Sequence, residues 1–169
     1  MKVTIEHGGK KIDVELTAEQ VKELGLQEEK KTGWERAESE KSYAYINGYM
    51  QLAQTDDCKM VQDNIRYQHG NYFTNVNLAA KMLKRIRLML KMQRWADEHN
   101  EPLDWNNSCV IKYRINYNVT IGKLEVTSST FSRLIGAIYF SSYNIAEKAI
   151  EEFGDEIIDC YVESEVTRL

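Results

Sequence analysis

The three histidines, His7, His69 and His99, are scattered, without metal-ligand spacing to each other or to a cysteine. Cys58, Cys109 and Cys160 are equally scattered, without the paired spacing of a zinc or redox site. Asp56-Asp57 is an acidic pair on a polar stretch whose composition predicts a solvated turn. The chain has no phosphate-cradling glycine loop, no Gly-x-Ser-x-Gly elbow and no His-Glu-x-x-His helix. General acid–base work needs convergent titratable groups. Without them the sequence argues against an enzyme and implies no metal site and no cofactor.

What remains is the chemistry of holding. Lys81, Lys84, Arg85, Arg87, Lys91 and Arg94 follow one another at helical spacing, and no acid interrupts residues 81–94. Such a basic face can take phosphates or the acidic surface of a partner, or simply keep a helix solvated. Leu88, Met92 and Trp95 form a second stripe at i, i+4 and i+7 on the same helix. A monomer seldom exposes three large apolar residues in a row, so this stripe predicts contact with a partner protein or a second copy in a homodimer. Tyrosines are frequent in the predicted strands. Tyr43 with Tyr45, and Tyr113 with Tyr117, share a face by alternation and offer surfaces on which bases stack. Arg66, Lys112, Arg114 and Arg133 are interleaved with them and are candidates for phosphate contacts. Packing of the tyrosines as ordinary strand residues against helices is the competing account.

These residues need elements to position them. At 169 residues, 43% hydrophobic and 28% charged, the chain suits a domain with a packed core and a small appendage. A net charge of −4 excludes wholesale electrostatic binding of nucleic acid by the entire surface. Residues 1–26 read as a β-hairpin turning at Gly8-Gly9, followed by a short helix opened by a Thr17-to-Gln20 capping box and closed by Gly25. Residues 27–33 are charged and read as a linker. From residue 34 the pattern predicts strand, Asn47-Gly48 turn and strand, a polar stretch over 54–64, a strand from Ile65 to Phe73, then a helix over 75–99 ended before Pro102. A second unit over 105–154 repeats the plan: strands over 110–117 and 123–127, a third over 134–140, and a helix from Ser142 to Phe153 that Gly154 ends or kinks. Residues 155–162 read equally well as helix or strand.

The two units echo each other in sequence. Tyr72-Phe73-Thr74-Asn75 and Tyr139-Phe140-Ser141-Ser142 each lead into a helix, with Ala79-Ala80-Lys81 answered by Ala146-Glu147-Lys148 and Arg66 by Arg133. The expectation is an α+β domain of residues 34–169, an antiparallel sheet from two tandem strand–strand–helix repeats (34–100 and 105–154) covered by helices. Absence of an apolar leader and of any membrane-length apolar run predicts a reducing cytosol.

Several segments resemble a family of small accessory proteins from phages and prophages of Gram-positive bacteria. They are Lys31-Thr32-Gly33-Trp34-Glu35-Arg36 with Tyr43-Ala44-Tyr45-Ile46, Gly70-Asn71-Tyr72-Phe73, Gln93-Arg94-Trp95-Ala96-Asp97-Glu98-His99-Asn100, and Tyr139-Phe140-Ser141-Ser142 with Ala146-Glu147-Lys148-Ala149-Ile150. The resemblance implies work in the host bacterial cytoplasm, and by analogy of class an anti-CRISPR-like protein that binds a host defence protein and blocks it. Two alternatives stand beside it: a sponge for a cyclic nucleotide signal, and a binder of single-stranded nucleic acid.

Overall fold

The computed structural model of the protein describes residues 2–25 and 31–163. It is an α+β fold, but the strands form three separate two-stranded antiparallel sheets instead of one. The first is a hairpin of β1 (Lys2–His7) and β2 (Lys10–Glu15), which turns through Gly8 and Gly9 at φ of 59° and 75°. Only glycine adopts two such values without strain, and the pair suits the tight turn that matches strand twist. The short helix α1 (Ala18–Glu23) follows, with the Thr17–Gln20 capping box formed in both directions.

The first unit begins before the expected boundary. Glu35 accepts hydrogen bonds from the Thr32 and Gly33 amides, Thr74 N donates to Gly33 O at 3.0 Å, and the Trp34 ring lies 4.9 Å from that of Phe73. Thr32 and Gly33 therefore belong to the folded unit and not to a linker. β3 (Ser42–Ile46) pairs with β4 (Leu52–Asp56) through a loop wider than the two-residue turn expected at Asn47-Gly48. The Asn47 side chain accepts from Tyr49 N and Gln51 N and so rounds the corner.

Residues from 61 onward depart from expectation. They form a helix, α2 (Val61–Gln68), where a strand from Ile65 was predicted. Only Phe73 pairs in the strand manner: it exchanges two backbone hydrogen bonds with Ala44, at 2.8 and 2.9 Å. Asn71 extends that pairing with its side-chain amide, which bonds Ile46 N and Ile46 O at 2.7 Å each. Asn75 then caps the long helix α3 (Val76–His99), accepting from Asn77 N and Leu78 N.

The second unit repeats the arrangement. β5 (Lys112–Asn118) pairs with β6 (Lys123–Ser129), and Phe140 exchanges two backbone hydrogen bonds with Tyr113 at 2.9 and 2.7 Å. The third strand expected over 134–140 reduces to this single bridge, because Leu134 to Ala137 make a tight turn with Gly136 at φ 81°. Ser142 caps α4 (Tyr143–Ile157), as Asn75 caps α3. Gly154 does not end α4 but lies inside it, where an added Cβ would touch Leu124 at 3.5 Å. A π-helical segment, Ile158–Glu163, closes the described chain.

α3 is the shared spine. Its first half joins Ala44 and Phe73 in one core through Leu78, Ala79 and Met82. Its second half contributes Leu88, Met92, Trp95 and Ala96 to a larger core with Phe140, Ala146, Ala149, Phe153, Ile157 and Cys160. Asn100, just past its end, ties the second unit on by bonding Tyr139 O and Ser141 N at 2.8 Å each. Neither core includes a residue from the first 25.

Candidate functional site

The apolar stripe expected to meet a partner is internal. Leu88 is 1% exposed, and Trp95 sets its ring edge-on to Phe140 and Phe153, both 6.2 Å away between centroids. The surface that covers Leu88, Met92 and Trp95 is the chain's own second unit. Met89 and Leu90, which the single-face projection of the helix places against a sheet, are instead about half exposed.

The basic face is largely engaged as well. Lys84 pairs with Asp159 and Lys91 with Glu156, each at 2.9 Å, and Asp159 holds the Lys84 ammonium above its ordinary range. Arg85 donates to Cys160 O at 3.0 Å and lies over the Tyr161 ring, while Arg87 donates to Met50 O. Lys81 and Arg94 complete the stripe, Arg94 exposed to solvent. Acidic α4 and the π-helical segment thus pair with Lys84 and Lys91, two of the six cations expected to meet phosphate. These ion pairs are exposed and screened by salt, so they orient the terminal segment more than they stabilise it.

The tyrosines and cations proposed for nucleotide contact do not share an open face. Tyr43 is buried, stacked on Tyr72 with centroids 3.8 Å apart, and Tyr45 lies beneath the Arg66 guanidinium at 3.7 Å. Tyr113 and Tyr117 point to the helix side of β5–β6, Tyr113 edge-on to Tyr143. Arg114 donates to Thr127 across the hairpin. Lys112 is 0% exposed: its ammonium donates to Asn107 O at 2.9 Å and lies 5.3 Å from the Trp105 ring, which Arg133 also covers at 5.0 Å. Tyr43 and Lys112 are thus buried and satisfied within the fold, the other groups are engaged by neighbouring side chains, and Arg133 stays exposed.

The convergent titratable cluster is one the sequence reading assigned to solvent. Asp57 is 0% exposed. Arg36 donates to its two oxygens at 2.7 and 3.1 Å, and to Asn64 at 2.6 Å. The Tyr72 hydroxyl donates to Asp57 at 2.9 Å and accepts from Ala37 N, and Lys59 N adds a further bond to the same carboxylate. Beside it the Tyr43 hydroxyl donates to Asp63 at 2.6 Å and accepts from Arg66, while Cys58 N and Met60 N bond the other Asp63 oxygen. Arg36 holds the Asp57 carboxyl well below the usual range, and the Tyr43 hydroxyl lowers that of Asp63. Burial pushes Tyr72 up to about 12. Every buried polar side-chain atom among the described residues has a partner. The network locks the 31–37 segment, β3–β4 and α2 together, and its carboxylates accept so many bonds that none is poised to take a proton from a substrate.

Of the apolar surfaces left open among the described residues, two bear on binding. On the hairpin β1–β2, Ile5 and Ile12 face each other across the strands, 50% and 58% exposed. The second surface is a cavity of about 280 Å3 between α3, β5–β6 and residues 136–138, lined by Met89, Met92, Tyr117, Ile138, Phe140 and Tyr161 among others. Bare Phe131, Leu134 and Ile135 lie on the loop that forms its rim. Nothing in composition distinguishes these apolar residues from core ones, so sequence reasoning missed them. Their one signal was the turn chemistry of Ser129–Ser132 and Gly136, which breaks the predicted strand.

Among the described residues no three His, Cys, Asp or Glu side chains converge as metal ligands, and no helix is long and apolar enough to cross a membrane. No protein-family model, curated protein or solved structure matches the chain.

Proposed function

We propose that this chain is a non-enzymatic anti-defence protein that binds a host immune effector and blocks it, docking through its N-terminal hairpin. The anti-defence assignment rests on the resemblance to phage and prophage accessory proteins. The observation that supports binding in place of chemistry is the contrast between polar and apolar groups. The convergent carboxylates Asp57 and Asp63 are tied up by Arg36, Tyr72 and Tyr43, whereas large apolar side chains are left bare.

The hairpin suits docking for two reasons. Among the described residues β1 and β2 pair only with each other, so each leaves an outer row of N–H and C=O groups that can take an added strand. The Ile5–Ile12 pair lies on one face, where an apolar partner surface would cover it. A lone two-stranded hairpin is marginal in water, and a partner strand would complete it.

The test is phage plating on a host that expresses the protein beside one defined CRISPR or nuclease system at a time. Restored plaques with the wild type, lost with Ile12→Asp at unchanged thermal stability, support the reading. Failure to protect against every system tried removes it. Titration heat with cyclic nucleotides would replace it by the sponge.

A further inference from the structure

The cavity between α3 and the second unit and the loop beside it form a hole next to a knob, built from residues other than those of the N-terminal hairpin. The cavity of about 280 Å3 is nearly twice the ~150 Å3 that suffices to hold a benzene ring, and its walls are Met89, Met92, Ile138 and Phe140 with no cation among them. Such walls suit a branched or aromatic side chain and not a phosphate. The loop presents side chains of that kind. Ile135 is fully exposed at the corner of the turn closed by Ala137 N to Leu134 O at 3.3 Å, and Phe131 is 87% exposed.

The loop is held in shape. Leu134 N donates to the Tyr139 hydroxyl at 2.8 Å, and Ser132 N donates to Ser129 Oγ, whose hydroxyl reaches back to Ser132 O at 2.7 Å. A rigid loop holds its apolar tips outward without having to be ordered on binding, which is what low-cost association requires.

We infer that the occupant of this surface is a second copy of the chain, each copy placing Ile135 and Phe131 against the cavity of the other around a twofold axis. A twofold contact uses the same patch on both copies, so it must carry both halves of the fit, and this patch does. The area agrees. Phe131 and Ile135, with Leu134, Met89 and Tyr161 at 43–50% exposure, leave on the order of 600 Å2 bare per copy at roughly 200 Å2 for each whole side chain. Monomers seldom expose more than a few hundred Å2 in one patch. Wholly covered in both copies, these five side chains would bury about 1,200 Å2 at most, the lower bound of specific interfaces. The dimer would display two N-terminal hairpins, so one assembly could engage two target sites.

Sedimentation equilibrium over a concentration series tests this. The wild-type full chain is expected to move from the mass of one chain to that of two. Ile135→Asp, at a position that supports no core contact, is expected to raise the dissociation constant at least about 30-fold with an unchanged thermal midpoint. Met89→Glu, on the receiving wall, is expected to do the same, and it keeps the test sound if Ile135→Asp were to unfold. A single-chain mass at every concentration up to about 1 mM overturns the inference. So does dimerisation that survives both substitutions, or that is lost in Ile12→Asp, since either places the contact elsewhere. Loss of phage protection in Ile12→Asp with the dimer intact separates the two surfaces.

Discussion

Leu88→Ala distinguishes an internal spine from a docking helix. Leu88 is 1% exposed within the core that joins α3 to the second unit. The substitution removes three carbons, worth about 2.4 kcal/mol at ~0.8 kcal/mol each, and leaves a cavity that adds to the loss. Met92 in the same core can partly refill the space, which places the total near the low end of the usual range, about 3 kcal/mol. For a chain of this length that corresponds to a fall of about 6–12 °C in Tm. The assay is urea unfolding, where the midpoint should drop at constant slope. The drop should also be independent of protein concentration when measured in the Ile135→Asp background, where self-association is weakened. A loss below about 1 kcal/mol, with association weakened instead, would refute the assignment and return the stripe to a partner.

Gly154→Ala should stabilise the protein by about 0.5–1 kcal/mol: the position is helical, the new methyl meets Leu124 at ordinary contact distance, and glycine inside a helix is costly. Gly33→Ala should do the reverse, lowering stability by at least about 1–2 kcal/mol. Its φ is 90°, and a Cβ there would lie 2.8 Å from the Asn75 Cβ at the cap of α3. Thermal melts of the two variants should therefore shift in opposite directions. Acid should destabilise the first unit. Glu35, lowered to about 2 by the Thr32 amide, and Asp57 and Asp63, lowered by Arg36 and by Tyr43, all titrate below their unfolded values near 4. Their contribution is complete above about pH 5 and falls as pH drops through 4 toward 2, because the unfolded chain then binds more protons. A urea midpoint that stays flat from pH 6 to pH 3 would contradict this.

The parts legible in the sequence were those where local chemistry and tertiary packing agree. α3 is bounded as expected because Asn75 caps it and Glu101, just past its end, directly precedes Pro102, and the β1–β2 turn follows from adjacent glycines. α2 was not legible. Its apolar residues Val61 and Ile65 are exposed, and it is fastened by Asp63, Asn64 and Arg66, so no hydrophobic period announces it. The faces of α3 were misassigned because the helix serves two cores on different sides, and projection onto one face sends Met89 and Leu90 inward. Asp57 was read as solvated because its partners, Arg36 and Tyr72, are far away in the chain.

The two units share the parts that build the scaffold and differ in the parts that could bind. In each, a phenylalanine bridges to the first strand of a hairpin, a capped helix follows, and an alanine one turn in, Ala79 or Ala146, is wholly buried. Between the second strand and that phenylalanine they diverge. The first unit places α2 there, bonded through Asp63, Asn64 and Arg66 into the buried polar network. The second has a shorter loop of two tight turns whose tips are Phe131 and Ile135. Bare apolar surface would be a liability on a scaffold with no use for it. The two most exposed large apolar side chains among the described residues, Ile135 and Phe131, both fall on the segment that the second unit does not share with the first, where a contact would place them.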